Sequence, residues 1–533
     1  MSAPLGGLDG TLPLLRLAVR RDRLRLTVWV LAIVGLTYFS GNAMGTAFPT
    51  QSSIDAYGRS VATSPALIAM TGPPLGLDTL AGIVINKVAL TSIIGISLLA
   101  VLTVVRHTRS EEEEGRSEML RATVVGRHAG SAAAMLLTAL LSVLVGVGTT
   151  YALIGSQVPA GSAWLYGVSI IALGLVFGAV ALVAAQVFTH ARTALGLSVA
   201  AIGVAYVVRA IGDVKETWLV WLSPIGWSQA THVLGEERWW PLLVPVAAVV
   251  VLCAAAVALA DRRDVGAGLV APRNGSATAS ALLSGPVGLT LRLQRGTLLG
   301  WGAGLFTLSA AMGSLSREVG DMARGNATLE KYLQASGQGS LTDAFFSTML
   351  LIMALLASGF AVSSALRLRA EETSGRLENL LATGLSRTRW LLGSLVVTVL
   401  GTVLLVAVAG FGMGLAYGLV LGDASQPWRL AGLALVYAPA AVSLAALAVL
   451  LVGWAPRATG VAWAALGVCF VLGWLGGLLD PPAWVNALSP FWHTPAVPVD
   501  AVTLAAPVAI TLAAVLLGGV GLVGLRRRDV SAG

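Results

Sequence analysis

Lysine is nearly missing from this chain: in 533 residues it occurs only as Lys87, Lys215 and Lys331, and none of the three follows a glycine. The Gly-Lys-Ser/Thr cradle of a P-loop is therefore absent, and the chain does not hydrolyse nucleotide by that route. Cysteine is rarer still. Cys253 and Cys469 both lie inside apolar runs, which leaves neither a disulfide framework nor a thiolate metal cluster. His107, His128 and His190 stand beside arginines, His232 and His493 lie in separate polar stretches, and no two have ligand spacing, so no bound metal is expected. No Asp or Glu falls near the middle of an apolar run; Asp213, Asp343, Asp480 and Asp500 sit at run edges. An ion-coupled transporter generally needs a titratable group at that depth, so an external energy source is favoured over an ion gradient. With no metal-binding or nucleophile cluster in view, no catalytic residue is assigned and an enzyme is not expected.

What the chain does have is apolar length. Hydrophobic residues make up 56% of it, charged ones 11%, and the mean hydropathy is +0.82; this composition reads as an all-α polytopic membrane protein. A barrel would show short period-2 segments instead. The net charge of +8 does not indicate nucleic acid, because the arginines fall in the short gaps between alternate apolar runs, as positive-inside topology requires. Residues 12–26 mix Leu and Val with Arg16, Arg20 and Arg23 on one helical face, which suits a helix lying on the cytoplasmic membrane surface. An uncleaved first span follows from Thr27 to Phe48. The second runs from about Gly82 to Val105, with Lys87 roughly 27 Å from its inner end, at the opposite interface. Ala129 to Ile154, Trp164 to Thr189, Thr193 to Val208 and Pro241 to Ala260 complete six.

The chain then repeats itself. RSEEEEGRSEMLRATVVGR at Arg109 returns as RAEETSGRLENLLATGLSR at Arg369, with Gly115 and Gly375, Arg116 and Arg376, and Glu118 and Glu378 all 260 apart. RRDVGAG at Arg262 returns as the C-terminal RRDVSAG at Arg527, and AIGVAYV at Ala201 as ALGVCFV at Ala465. Trp218, Trp221, Ser223 and Pro224 lie in a Trp-rich interfacial segment whose second copy holds Trp484, Ser489 and Pro490; short, partly inserted helices are expected there. The second set of spans reads as Thr297–Ser316, Ala344–Leu366, Trp390–Gly422, Leu430–Trp454, Ala458–Leu479 and Ala501–Leu525. The organisation expected is two parallel six-helix repeats, twelve transmembrane helices in all: a first half over 1–268, a cytoplasmic linker rich in Ala, Ser and Gly over 269–285, and a second half over 286–533. Both termini are placed on the cytoplasmic side of the plasma membrane. In each acidic stretch a glutamate precedes the arginine by four residues (Glu112 and Arg116; Glu372 and Arg376), the favoured order for a helical ion pair, though the glycine between them competes as a break.

Two copies of Glu-Glu-x-x-Gly-Arg-x-Glu between second and third spans, an amphipathic segment before the first span and a broken outer segment before the sixth resemble the permease subunits of ABC-2-type exporters. More narrowly, the fused two-half form resembles actinobacterial exporters of tetronasin-type polyketide antibiotics. The resemblance implies that each acidic stretch is a coupling helix entering a groove on a separate ATP-binding cassette ATPase. Glu111, Glu112, Gly115, Arg116 and Glu118 would serve one ATPase copy, and Glu371, Glu372, Gly375, Arg376 and Glu378 the other. It implies further that this chain binds no cofactor, that ATP-Mg belongs to the partner, and that a hydrophobic antibiotic, drug or lipid is moved outward through the lipid membrane. The outer Trp-Ser-Pro segments are gate candidates, with interfacial anchoring the plainer reading. An ion-coupled drug or lipid transporter is the alternative.

Overall fold

The computed structural model describes residues 7–116, 119, 125–263, 268–270, 278, 285–316, 341–479 and 482–527. Regular structure among them is helical throughout, apart from one isolated bridge between Phe188 and Val270. The chain divides into two compact units, Met1–Gly275 and Ser276–Gly533. Ten helices among the described residues are long and apolar enough to cross a bilayer, so the protein is a multi-pass membrane protein.

Unit 1 begins with α1 (Thr11–Ala47). The expected surface helix and the first span are one helix of 37 residues, which corrects the reading of two. No Gly or Pro interrupts residues 14–34, and the charged end is held upright by partners: the buried Asp22 carboxylate accepts from Arg106 at 2.6 and 2.9 Å. Next come α2 (Gln51–Thr63) and α3 (Pro65–Thr71), each started by an N-cap hydroxyl, Thr50 and Ser64. They pack Ile54 and Val61 against Leu77 and Ile83. Tyr57 donates to Asn86 at 2.7 Å and Asn86 donates to Thr71 at 3.0 Å, tying these two helices to the one that follows.

The centre of unit 1 is α4 (Leu80–Val105) packed on α6 (Ala160–Val187), with α5 (Ala129–Gly155) beside α1 and α6. Small residues set the closest approach: a Cβ on Gly167 would stand 2.7 Å from the Gly146 carbonyl, and one on Gly146 2.6 Å from that of Gly167, the close backbone contact that membrane helices favour. The fifth helix, α7 (Ala191–Lys215), outruns its expected end at Val208 by taking in a buried ion pair, Arg209 to Asp213 at 3.1 Å. Arg209 lies over the Tyr206 ring at 4.6 Å. Short α8 (Pro224–Gln229) and then α9 (Leu243–Asp261) close the unit.

Unit 2 contains α10 (Pro286–Ser314), α11 (Leu341–Thr373), α12 (Arg376–Leu381), α13 (Arg387–Leu421), α14 (Gln426–Ala434), α15 (Ala438–Trp454), α16 (Gly460–Leu479), α17 (Ala483–Asn486) and α18 (Ala505–Arg527). Its core is α11 against α13 and α15, with α10 along α13 and α18 along α15. The α15–α18 seam again runs through glycine, since a Cβ on Gly453 would meet the Gly521 carbonyl at 2.3 Å. In α11, 72% of the apolar stretch is buried, against 22% in α18; α11 is central and α18 peripheral. α10 and α16 are not among the ten long apolar helices.

Candidate functional site

The charged stretch of unit 1 is an extension of α4. Its helix widens into a π-helical turn over Arg106–Ser110, returns to α over Glu111–Glu113 and stops at Gly115, whose φ is +69°. That left-handed conformation is open to glycine at little cost and costs other residues about 1–2 kcal/mol. The Gly115 N–H donates to the Glu112 carbonyl at 3.1 Å, which closes the helix end, and a new helical residue begins at Arg116.

Every glutamate of this extension has a partner inside unit 1. Arg21 and Arg116 share Glu111, with Arg116 Nε 2.7 Å from Oε2. Glu112 accepts from Arg109 at 2.5 Å and from both terminal nitrogens of Arg263 at 2.7 and 2.9 Å. Arg109 is fully buried and donates also to the Thr189 carbonyl at 2.6 Å; Arg263 donates to Gln186 at 2.8 Å. His190 Nδ1 lies 2.9 Å from Glu113, and Glu114 pairs with Arg116. The hydrogen bond to Glu111 holds Arg116 above its ordinary guanidinium value. A cavity of about 120 Å³ opens beside this cluster, between Leu14, Arg21, Glu111 and Arg127.

Unit 2 makes the same turn with fewer charges. α11 ends at Thr373, Gly375 has φ +69° and donates to the Glu372 carbonyl at 3.1 Å, and α12 starts at Arg376. The buried Glu372 accepts from Arg369 at 2.9 Å. Glu371 accepts from Arg367 and from the Trp390 indole N–H, both at 3.2 Å. Leu377 is buried and pins α12 to the core, while Arg376 and Glu378 face outward. A second positive-φ residue, Gly384 at +81°, turns the chain into α13, capped by the Ser386 hydroxyl.

At the other end of unit 1, the Trp-rich segment is a 3-10 turn, Trp218–Leu222, followed by α8. Ser223 is fully buried. Its hydroxyl donates to the Ala205 carbonyl at 2.6 Å and accepts from the Ile225 and Gly226 amides, with Pro224 in the first helical turn. Trp221 stacks on Trp240 at 5.4 Å, and Trp218 is exposed. In unit 2, α17 and a 3-10 turn, Pro490–His493, take this place. Ser489 is buried beside it and Trp484 exposed.

The family model described as "Multidrug efflux system permease Rv1217c, C-terminal domain" matches residues 13–259 and 283–526. The chain belongs to this family. It is similar to the multidrug efflux system permease protein Rv1217c of Mycobacterium tuberculosis (strain ATCC 25618 / H37Rv), 40% identical over 531 residues, which are 98% of this chain and 96% of that protein.

In this permease the residues singled out from sequence fall on two glycine turns and two Trp-containing segments, with one exception: Glu118 lies outside the described residues. The expected ion pair between Glu112 and Arg116 does not form. The break at Gly115 turns the chain before Arg116 can lie one turn beyond Glu112, so Arg116 reaches Glu111 and Glu114 instead. In unit 2, likewise, Glu372 is taken by Arg369 and not by Arg376. Sequence reading missed Arg263, Gln186, Arg21 and Trp390, each of which holds an acidic-stretch glutamate or its partner. The only local hint was that Arg263 belongs to the repeated Arg-Arg-Asp-Val segment.

Proposed function

We propose that the permease is the membrane subunit of an ATP-driven exporter, moving a hydrophobic compound outward while a separate ATPase supplies the energy. The observation that carries this reading is the pair of glycine turns. Each unit ends its second long helix at a glycine of φ +69° bonded back to a glutamate carbonyl at 3.1 Å, and each then presents a partly or fully exposed arginine. Two such projections suit two ATPase copies. Each half is taken as six spans, in parallel, with both termini cytoplasmic, 1–268 and 286–533 about a linker. Support comes from the family match in two blocks and from the same neighbour scheme in both units, where the first helix packs on the third and the last on the fourth. The permease itself would hold no cofactor, and ATP-Mg would stay with the partner. The cargo is an antibiotic, drug or lipid, in keeping with the name of the Mycobacterium tuberculosis relative, a multidrug efflux system permease; the narrower kinship with tetronasin-type exporters belongs to the same proposal. The Trp-Ser-Pro segments are placed as an outer gate.

The ion-coupled alternative gains little from the buried carboxylates. Asp22 is neutralised by Arg106, just past the end of α4, and Asp213, near the end of α7, by Arg209. The test is co-purification with the cognate ATPase. If Arg116 and Arg376 each make a charge-assisted contact, Arg116→Ala or Arg376→Ala weakens docking by roughly 1.5–3 kcal/mol, about 10- to 100-fold. Wild-type recovery of ATPase and wild-type stimulation of hydrolysis in the double variant would refute the site. Transport that survives an ATPase-inactive partner and collapses with a protonophore would refute the class.

A further inference from the structure

Beneath the outer segment of each unit lies a cavity, and the two differ in size. In unit 1 it holds about 60 Å³ among Asn86, Tyr166, Ser228 and Gln229, room for a water or two. In unit 2 it holds about 480 Å³, within the range of roughly 300–1,000 Å³ typical of small-molecule sites. One sequence difference accompanies this. The repeat that aligns AIGVAYV with ALGVCFV places Gly473 where unit 1 has Arg209. Arg209 fills its place with a buried guanidinium, and a Cβ added at Gly72 would stand 3.7 Å from that group and 2.3 Å from the Gln229 amide nitrogen. Gly473 lines the larger cavity and leaves it open.

The walls of the unit 2 cavity say what it would take. Tyr437, Phe491 and Trp492 supply ring surface, and Asn486, Ser489 and Thr494 supply neutral polar atoms. Among the described residues Asp500 is the one charged side chain on the wall, and no described Lys, Arg or His lines it. Its carboxylate accepts from the Ala496 amide at 2.8 Å through Oδ2. The loop carrying it is fastened to α11: Ser347 donates to the Ala496 carbonyl at 2.8 Å. A carboxylate with aromatic faces and no competing cation favours an amphipathic positive ion. We propose that this cavity binds a lipophilic organic cation, and that its unit 1 counterpart, with room for about 60 Å³ only, does not. The proposal rests on the export reading for its outer location and names a cargo class for it.

The probe is tetraphenylphosphonium, with tetraphenylborate as the isosteric anion, in equilibrium binding to the purified full chain without ATPase. The cation is expected to bind at least about tenfold more tightly than the anion. Asp500→Asn and Trp492→Ala should each weaken the cation by roughly three- to tenfold. Gly473→Leu should abolish binding. Because a Cβ there already stands 3.0 Å from Leu355, Thr348→Trp, which narrows the same cavity from α11, serves as a second blocking variant. Tyr166→Phe, confined to the unit 1 cavity, should leave binding unchanged. Equal affinity for the two ions, full cation affinity in the Asp500→Asn, Trp492→Ala double variant, or loss of binding in Tyr166→Phe would overturn the assignment. Since no ATPase is present, such a failure leaves the export reading standing, and a failure of ATPase coupling leaves this binding result standing.

Discussion

Replacing Glu112 with glutamine tests whether the acidic stretch of unit 1 is a structural knot. The Glu112 carboxylate is the common acceptor for two guanidinium groups, Arg109 with 1% of its side chain exposed and Arg263 with 8%. Glutamine keeps the shape but removes the carboxylate charge that both guanidinium groups share. Breaking a buried ion pair from one side costs about 3–5 kcal/mol. For a unit of this size, that corresponds to a fall of roughly 6–20 °C in unfolding temperature. Glu114 is the internal control: it is half exposed, and its partner Arg116 is 40% exposed, so Glu114→Gln should cost no more than about 1 kcal/mol. The assay is thermal unfolding in detergent, followed by monodispersity of the purified chain. Adding Arg263→Met to Glu112→Gln should recover part of the loss, since one of the stranded cations is then gone. Equal melting of Glu112→Gln and Glu114→Gln would refute the reasoning, and the cluster would then be a solvated surface network.

Three further outcomes are expected. Gly375→Ala should lose about 1–2 kcal/mol, all of it conformational, because a Cβ there meets nothing within 4 Å; Gly375→Asn should lose less, as read by the same melting assay. Burial, with the Arg238 charge adding to it, holds His232 below the usual imidazole value. The folded protein therefore binds that proton less readily than the unfolded chain, and stability should fall as the pH drops below about 6.5; His232→Asn, which also suits φ +50°, should blunt that fall in melting curves taken from pH 7.5 to 5. Cysteines placed at Gly115, Gly375, Leu269 and Gly533 should react only with permeant reagents in intact cells, and those at Trp221 and Trp484 with impermeant ones; external labelling of Gly115→Cys would overturn the topology.

Much of this was open to reading because the signals are local. The apolar runs that became α4, α5, α6 and α13 need only length and composition, and the glycines at 115 and 375 needed only a helix pattern that stops at a residue without a side chain. Ser223 and Pro224 were legible as a break in the chain, and α8 starts there. What could not be read depends on chain folded back from elsewhere. Glu112 was given to Arg116 because they are four apart, yet it went to Arg263, 151 positions on. Helix ends were misjudged for the same reason: the run Thr193–Val208 continues through Arg209 because Asp213 and the Tyr206 ring accept the charge, and α1 continues through Arg21 and Asp22 because α4 brings Glu111 and Arg106 to meet them. Hydropathy registers such charges as boundaries. Pairing removes the boundary.

The long second helix of unit 2 has a mechanical consequence. From Leu341 to Thr373 it is unbroken α-helix, and Ser347 near one end touches the loop of Asp500 while Glu372 near the other closes the turn at Gly375. The two residues are separated by roughly 37 Å of stiff rod, so a tilt of about 5° about one end carries the other through roughly 3 Å, with no joint to absorb it. In unit 1 the corresponding rod includes the wide turn at Arg106–Ser110, where a helix yields more readily. A push applied equally at both glycine turns would therefore arrive at the far ends of the two helices unequally, sharp through α11 and softened through α4.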